Sequence, residues 1–302
     1  MDYHGSRGHG GSTASHWPRP DASALRGARG ASSVNGTGTG TTDGVELDLH
    51  VHTTASDGAF ELADLPAAAR RAGVGTVAVT DHDRLHPGLD SPVAHRDGVR
   101  VVRGVELRVD AGDLRVDRLG YGVEGGTALG DELDRLQRDR IERARAIVDC
   151  VEDRVGTTLD IDPGEGVGRP HIAHAVAASD APYDYQGAFD HLIGGDGPCD
   201  RAREIPTFER GVELLRESSV VISLAHPFRY RDVDRALDLA RDLGAVERYY
   251  PYGRSIETER VEQTVREAGL LRTGGSDAHD RTLGRAGLSG DDTAAFLTRL
   301  ES

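Results

Sequence analysis

The sequence predicts an α/β fold, an incomplete βα barrel carrying a helical insertion. Three observations lead there. Strand-like and helix-like apolar patterns alternate from about residue 45, several of the strand-like runs end in His, Asp or Glu, and a long charged stretch interrupts the alternation near residues 127–217. A chain of 302 residues is long enough to bury one large core. The expected organisation is a disordered leader at 1–43 followed by a single barrel domain over 44–302.

The leader is rich in Gly, Ser, Thr and Ala, with GTGTGTT at 36–42, and shows no periodicity. Its histidines, His4, His9 and His16, are therefore set apart from any site. From Val45 the pattern becomes VELDLHVH, in which Val45, Leu47, Leu49 and Val51 alternate with polar residues as on a half-buried strand. A helix is expected from Glu61 to Ala72, ending at Gly73, and GTVAVTDH reads as a second strand stopping at Thr80. VRVVRGVEL at 99–107 is a third strand and Leu114–Gly122 a fourth. Leu129–Val155 then reads as a long charged helix with Leu133, Leu136, Ile141 and Ile147 at helical spacing. Short helices follow through 217. SVVISLAHP, a helix near 232–243, AVERYY, a helix near 256–268 and LLRTGGSDAH restore the alternation, which implies a parallel sheet. No internal repeat of fixed period is present.

Composition narrows the function. The formal charge is −15, from 51 acidic against 36 basic residues, and every basic residue is arginine. A GC-rich genome accounts for such a lysine-free chain, and the acidic excess is compatible with adaptation to high salt. It also argues against broad capture of nucleic acid, which needs a basic stripe, while leaving room for arginines around one phosphate. Cys150 and Cys199 are too few and too far apart in sequence to suggest a disulfide or a cysteine zinc site, so a reducing compartment is expected. No apolar run approaches the roughly 18 residues of a membrane helix, and no signal-peptide centre is seen near the start. A soluble cytoplasmic protein with no membrane and no obligate protein partner is the expectation.

The chemistry-bearing residues sit at strand ends. His50 and His52, two apart on a strand, face the same side and can reach one metal. Asp57 in ASDG, His82 in TDHD, Glu106 in GVEL, His226 in LAHP, and Asp277 and His279 in GGSDAH also end strands or the loops after them. Taken singly, each has an ordinary reading: an Asx turn for Asp57, a helix cap for Asp277, a solvated strand end for Glu106, a satisfied polar group before Pro227 for His226. Together they converge, because the carboxyl ends of barrel strands share one mouth. Imidazoles mixed with carboxylates suit a site for Zn, Mn or Fe.

DLHVHTTASDG, TDHD, GVEL, LAHP and GGSDAH resemble the successive motifs of the polymerase and histidinol phosphatase (PHP) superfamily. GRPHIAHAV and AFDHLIGGDGP resemble the helical insertion of its TrpH-like subgroup of nucleotide phosphatases and 5′ to 3′ oligoribonucleotide exonucleases. The resemblance implies a distorted (β/α)7 barrel holding two or three divalent metal ions. His50, His52, Glu106 and Asp277 would hold the first, with Glu106 bridging to a second that His226 helps complete. Asp57, His82 and His279 would hold the third. One position departs from the pattern: Asp117, in VDRLGYG, stands where the family usually has a histidine, a change from nitrogen to hard oxygen that should shift metal preference. Arg169 and His171 in GRPHI, and Arg229 beyond LAHP, are candidate contacts to a substrate phosphate.

The expected activity is metal-dependent phosphoester hydrolysis on a small nucleotide such as a 3′,5′-bisphosphate, or on very short RNA from its 5′ end. A sugar or amino-alcohol phosphatase of the histidinol phosphate kind is the alternative. A non-catalytic metal- or nucleotide-binding module would follow if Asp117 abolished one metal site. Tyr249, Tyr250 and Tyr252 in RYYPYG are candidates for stacking on a base, and equally for packing.

Overall fold

The computed structural model describes residues 44–126, 128–164, 167–195 and 197–302. The leader expected to be disordered, 1–43, lies outside the described residues. The chain runs β1 (Leu47–Val51), α1 (Leu65–Ala72), β2 (Thr76–Val79), β3 (Val93–Arg96), β4 (Val99–Asp110), β5 (Arg115–Tyr121) and α2 (Ala128–Val155). It continues through α3 (Arg169–Ala178), α4 (Tyr185–Ala188), a π-helical turn (Phe189–Ile193) and α5 (Phe208–Ser218). Then come β6 (Val221–Leu224), α6 (Val233–Ala240), β7 (Ala245–Tyr249), α7 (Thr258–Ala268), β8 (Leu271–Gly274) and α8 (Gly290–Leu300).

The strands form one curled sheet in the order β1-β2-β4-β5-β6-β7-β8, with β3 paired to β4 off that path. Its two edges meet beyond β8, where Ala278 bridges Val51 and exchanges hydrogen bonds with the backbones of His50 (3.3 Å) and His52 (3.1 Å). Buried aliphatic residues of the strands pack against the surrounding helices, α1 on β1 and β2, α5 to α7 on β4 to β7. The last helix, α8, for which no element was expected, sets Phe296 edge-on to Tyr121 at 5.3 Å and closes the bottom over Leu47 and Leu49.

The expectation of a parallel sheet needs correction at one strand. β5 is antiparallel to both β4 and β6, while the other neighbours along the path are parallel. The reason is local: residues 111–114 form a tight turn, Ala111 N–H donating to Leu114 O at 2.8 Å, and a connection that short can only make a hairpin. β3 was not expected either. It folds back on β4 through Asp97-Gly98, both at positive φ (48° and 79°), the turn chemistry that favours two-residue hairpins. α1 begins at Leu65 rather than Glu61 because Pro66 is tolerated only in the first turn.

Between β5 and β6 the insertion has its own small core, where Ile147, Val148 and Val151 of α2 meet Ile172 and Val176 of α3 and Leu192 and Ile193. Contrary to the sequence expectation, Cys150 and Cys199 are joined by a disulfide across this core, with Cα atoms 5.6 Å apart and 49 residues between them in sequence. Separation along the chain was a poor guide because the helices after α2 double back onto it. The reading of a reducing compartment loses the support it drew from these cysteines. Among the described residues no helix is long and apolar enough to cross a membrane.

Unfolded without reductant, the protein should show no titratable thiol, and two after reduction. Cys150→Ser should lower stability by about 2–4 kcal/mol, the cost of releasing a loop of this length. Urea unfolding of the two proteins, followed by circular dichroism, checks the magnitude.

Candidate metal centre

The period of two along β1 places Asp48, His50 and His52 on the side of the strand opposite Leu47, Leu49 and Val51, so both imidazoles enter the barrel interior. His82 follows β2, Glu106 lies within β4, His226 follows β6, and Asp277 and His279 follow β8. Asp117 arrives from near the start of β5, because that strand runs the opposite way. The structure brings all nine predicted ligands together in three sets, two of them sharing His52, and within each set the donor atoms lie within 4.8 Å of one another: His50, His52 and Asp277; Glu106, Asp117 and His226; and His52, Asp57, His82 and His279.

Glu106 is the hub. Its Oε1 lies 3.0 Å from His226 Nε2 and 3.5 Å from His50 Nε2, and its Oε2 lies 2.7 Å from His82 Nδ1 and 3.4 Å from His52 Nε2. Asp277 Oδ1 lies 3.2 Å from His52 Nε2 and 3.4 Å from His50 Nε2, and Asp57 Oδ1 lies 3.4 Å from His279 Nε2. Close packing fixes this arrangement. A Cβ on Gly275 would fall 2.3 Å from His50 N, and one on Gly58 would fall 2.2 Å from His52 O, so only glycine fits at either position. His226 and Asp277 are held at φ 29° and 46°, backbone conformations that are costly for residues with a Cβ and concentrate at functional sites.

The donor set fits a cation. His50 Nε2, both ring nitrogens of His52 and His226 Nδ1 are buried with no hydrogen-bond partner, an expensive arrangement unless something positive is meant to satisfy them. Behind them stand buried carboxylates that sequence reading missed. Glu247 Oε1 accepts from His50 Nδ1 at 3.0 Å, fixing the tautomer that turns Nε2 inward, and its Oε2 accepts from His226 N–H at 2.7 Å. Asp81 accepts from the Thr53 N–H (2.8 Å) and hydroxyl (2.7 Å) and from the Ser56 hydroxyl (2.6 Å). Asp48 accepts from the Ser276 N–H (2.8 Å) and hydroxyl (2.6 Å) and from Gly284 N–H (2.9 Å), tying β1 to the loop that carries Asp277.

Electrostatics follow from this crowding. Burial opposes charge on His50, His82, Glu106 and His52, yet opposite charges win at the first three. Burial alone would depress His50, but Glu247, Asp277 and Glu106 hold it well above the usual imidazole value. Burial also works against charge on His82, and Glu106 beside it pushes it up to about 9. Glu106 itself, despite its burial, is held well below the usual carboxylate range by His82 and His50. His52 is the exception: burial and the neighbouring His82 keep it below the ordinary value. Burial thus favours the neutral form of this imidazole, the form that ligates metal.

The three predicted phosphate contacts separate. Arg229 reaches the cluster, its Nη1 donating to Asp277 Oδ2 and to the Tyr250 hydroxyl, both at 2.8 Å, while Tyr250 donates to the same Oδ2 at 2.7 Å. Arg169 is tied within the insertion to Asp200 Oδ1 (3.4 Å) and Ile193 O (3.3 Å), and His171 Nδ1 accepts from Gly168 N–H at 3.1 Å to close the first turn of α3. Of the tyrosines, Tyr249 turns away to Asp292, whereas Tyr250 and Tyr252 lie with ring centres 4.6 Å apart.

Side chains of the insertion lean over the His82 side of the cluster. Gln137 of α2 donates to Asp83 O at 2.8 Å, and Arg203 forms an ion pair with Asp83. One turn beyond Gln137 on the same face is Arg140, half-buried and without an ion-pair or hydrogen-bond partner among the described residues. Burial and the neighbouring Arg203 hold its guanidinium below its ordinary value. In a chain with 36 arginines nothing in the sequence singles out Arg140.

Comparison with known proteins decides the family. The PHP domain model matches residues 48–222. The chain belongs to the PHP domain family. Within that family it is 31% identical over 254 residues, 78% of this chain and 94% of the relative, to a phosphoribosyl 1,2-cyclic phosphate 1,2-diphosphodiesterase from Eggerthella lenta. It is 29% identical, over 63% of this chain and 70% of the relative, to a 3′,5′-nucleoside bisphosphate phosphatase from Chromobacterium violaceum. In fold it matches a structure described as a metal-dependent phosphoesterase from Bifidobacterium adolescentis, with a TM-score of 0.66 and 22% identity over 84% of this chain and 96% of the other. The family, the barrel fold and the reaction class read from the sequence are borne out: this PHP chain is a metal-dependent phosphoesterase.

Glu247→Gln should leave the fold intact and weaken metal binding about 10- to 100-fold, by loosening the orientation of His50 and His226. Metal content after dialysis against a weak chelator reads this directly, and unchanged content would refute the orienting role.

Proposed function

We propose that this PHP chain hydrolyses phosphate esters of small phosphorylated ribose compounds or nucleotides, with a 3′,5′-bisphosphate as the leading substrate class. The observation that carries this reading is the set of buried imidazole nitrogens left without hydrogen-bond partners among converging His, Asp and Glu side chains. His50, His52, Glu106 and Asp277 would hold one divalent ion, Glu106, Asp117 and His226 a second, and Asp57, His82 and His279 a third; Mn, Zn and Fe suit such mixed donors. When bound, these ions supply Lewis-acid stabilisation of the phosphoryl oxygens and activate the attacking water. Such a site needs no serine or cysteine nucleophile.

The protein's own part is positioning. Asp277 is oriented by Arg229 and Tyr250, so a phosphate bound at the first position meets a guanidinium at its edge. Arg140 on the insertion offers a second cationic contact from the other flank of the cluster. Two separated arginines favour a substrate with two phosphate groups over one with a single phosphate and an amine, which is why the bisphosphate reading ranks above the histidinol phosphate kind. The cyclic phosphodiester acted on by the Eggerthella lenta relative, and very short RNA, share that two-anion chemistry. Long nucleic acid does not suit a chain of net charge −15.

The test is phosphate release, with and without Mn(II) and a chelator, from adenosine 3′,5′-bisphosphate, ribose 1,2-cyclic phosphate 5-phosphate, a 5′-phosphorylated RNA dinucleotide and histidinol phosphate. Metal-dependent turnover of any of the first three supports the reading. Turnover of histidinol phosphate alone would replace it, and bound metal without turnover of any substrate would leave a binding module. His50→Ala and Asp277→Ala should abolish nearly all turnover and lower bound metal with the fold retained. Arg140→Ala should raise KM on the bisphosphate about tenfold or more, the worth of one charge-assisted hydrogen bond, with a smaller effect on a monophosphate.

A further inference from the structure

Among the candidate ligands, Asp117 is the one whose carboxylate is already fully engaged by a cation. Arg108 sits directly across from it in the β4–β5 register and grips it with both prongs, Nε to Oδ1 at 2.7 Å and Nη2 to Oδ2 at 2.7 Å. The oxygen that takes Nη2 is the one nearest His226, 3.8 Å from its Nε2. Asp277 differs. It divides its oxygens, giving Oδ2 to Arg229 and Tyr250 and leaving Oδ1 to the histidines.

The two partners are held unequally. Asp117 is buried, and its N–H donates to the Tyr230 hydroxyl at 2.8 Å, so the carboxylate cannot withdraw. The Arg108 side chain is 46% exposed and can swing outward into water. A divalent ion placed among Glu106, Asp117 and His226 would share one carboxylate with a guanidinium, and the two cations would repel across a few ångströms in a poorly screened site. A histidine at this position would carry no charge for an arginine to capture.

We propose that Arg108 and the second metal ion compete for Asp117, so that Arg108 makes this position the weakest of the three and sets how many ions the protein holds at a given metal concentration. The inference rests on the metal reading above and concerns the second position alone. Arg108 acts through Asp117 and is a positioning residue.

The experiment measures Mn(II) bound per chain across a graded free-metal series, by mass spectrometric metal analysis of the full-length protein and of Arg108→Met and Arg108→Lys. The wild type should fill one equivalent markedly more weakly than the rest. In Arg108→Met that equivalent should tighten at least tenfold, the others staying fixed. Arg108→Lys, which keeps the charge but loses the fork, should fall between, and it carries the test alone if the Met variant does not fold. A second-position affinity that is unchanged, or that weakens, overturns the proposal; weakening would make Arg108 an orienting partner of a metal ligand. Failure of the wild type to bind any Mn(II) would instead remove the metal reading itself.

Discussion

The structure depends on keeping one carboxylate charged inside a barrel. Glu106 is buried, and an isolated carboxylate there would give up its charge. Imidazoles from β1 and from the ends of β2 and β6 surround it, with His82 and His226 nearest at 2.7 and 3.0 Å. Each of those histidines needs its own counter-charge or hydrogen bond, and the carboxylates of Glu247, Asp277 and Asp57 answer that need. The strands can therefore end only where these groups meet. The glycines at 58 and 275 exist because the loops must press against β1 to bring the outer members in.

The reversed strand shapes the site as much as the fold. Because β5 is a hairpin return from β4, Asp117 faces Arg108 across the ladder instead of projecting from a carboxyl end like the other ligands. Cross-strand neighbours of opposite charge attract in any antiparallel pair. Here that ordinary attraction falls on Asp117, which also lies beside Glu106 and His226 in the cluster.

How much of this was legible follows from what each residue does locally. His50-Val51-His52 and the strand-terminal His and Asp residues announced themselves, because polar groups that end one apolar run after another are costly to gather at a barrel mouth unless they share a ligand. Glu247, Asp81 and Asp48 were invisible as orienting groups, since a carboxylate within a strand pattern looks like its solvated face until the sheet curls and buries both sides. The reversal of β5 was encoded in a connection of a few residues, and β3 in Asp97-Gly98, both readable from turn chemistry but outweighed by the regular βα rhythm around them. The Cys150–Cys199 bridge depended on the insertion doubling back, which two cysteines alone cannot reveal. Arg140 gained meaning only from Gln137, which anchors its helix face over Asp83.

The absence of lysine gives the arginines work of different kinds. Arg118 is fully buried, its guanidinium 3.7 Å over the Phe208 ring and donating to Phe208 O at 2.8 Å, a role suited to a weakly hydrated planar cation. Others neutralise surface carboxylates, and Arg229 and Arg108 bind carboxylates of the cluster itself. Their field and that of the acidic surface act over different ranges. At physiological salt exposed charges are screened beyond about 8 Å, so a small phosphate that reaches the mouth is governed by the arginines and the metal positions near it. On the proposed reading a polyanion fits less well, because its remaining phosphates would meet a chain of net charge −15. Short-range contacts at the cluster and the net negative charge of the chain together would then favour a compact phosphorylated molecule over a long polyanion, with no steric gate.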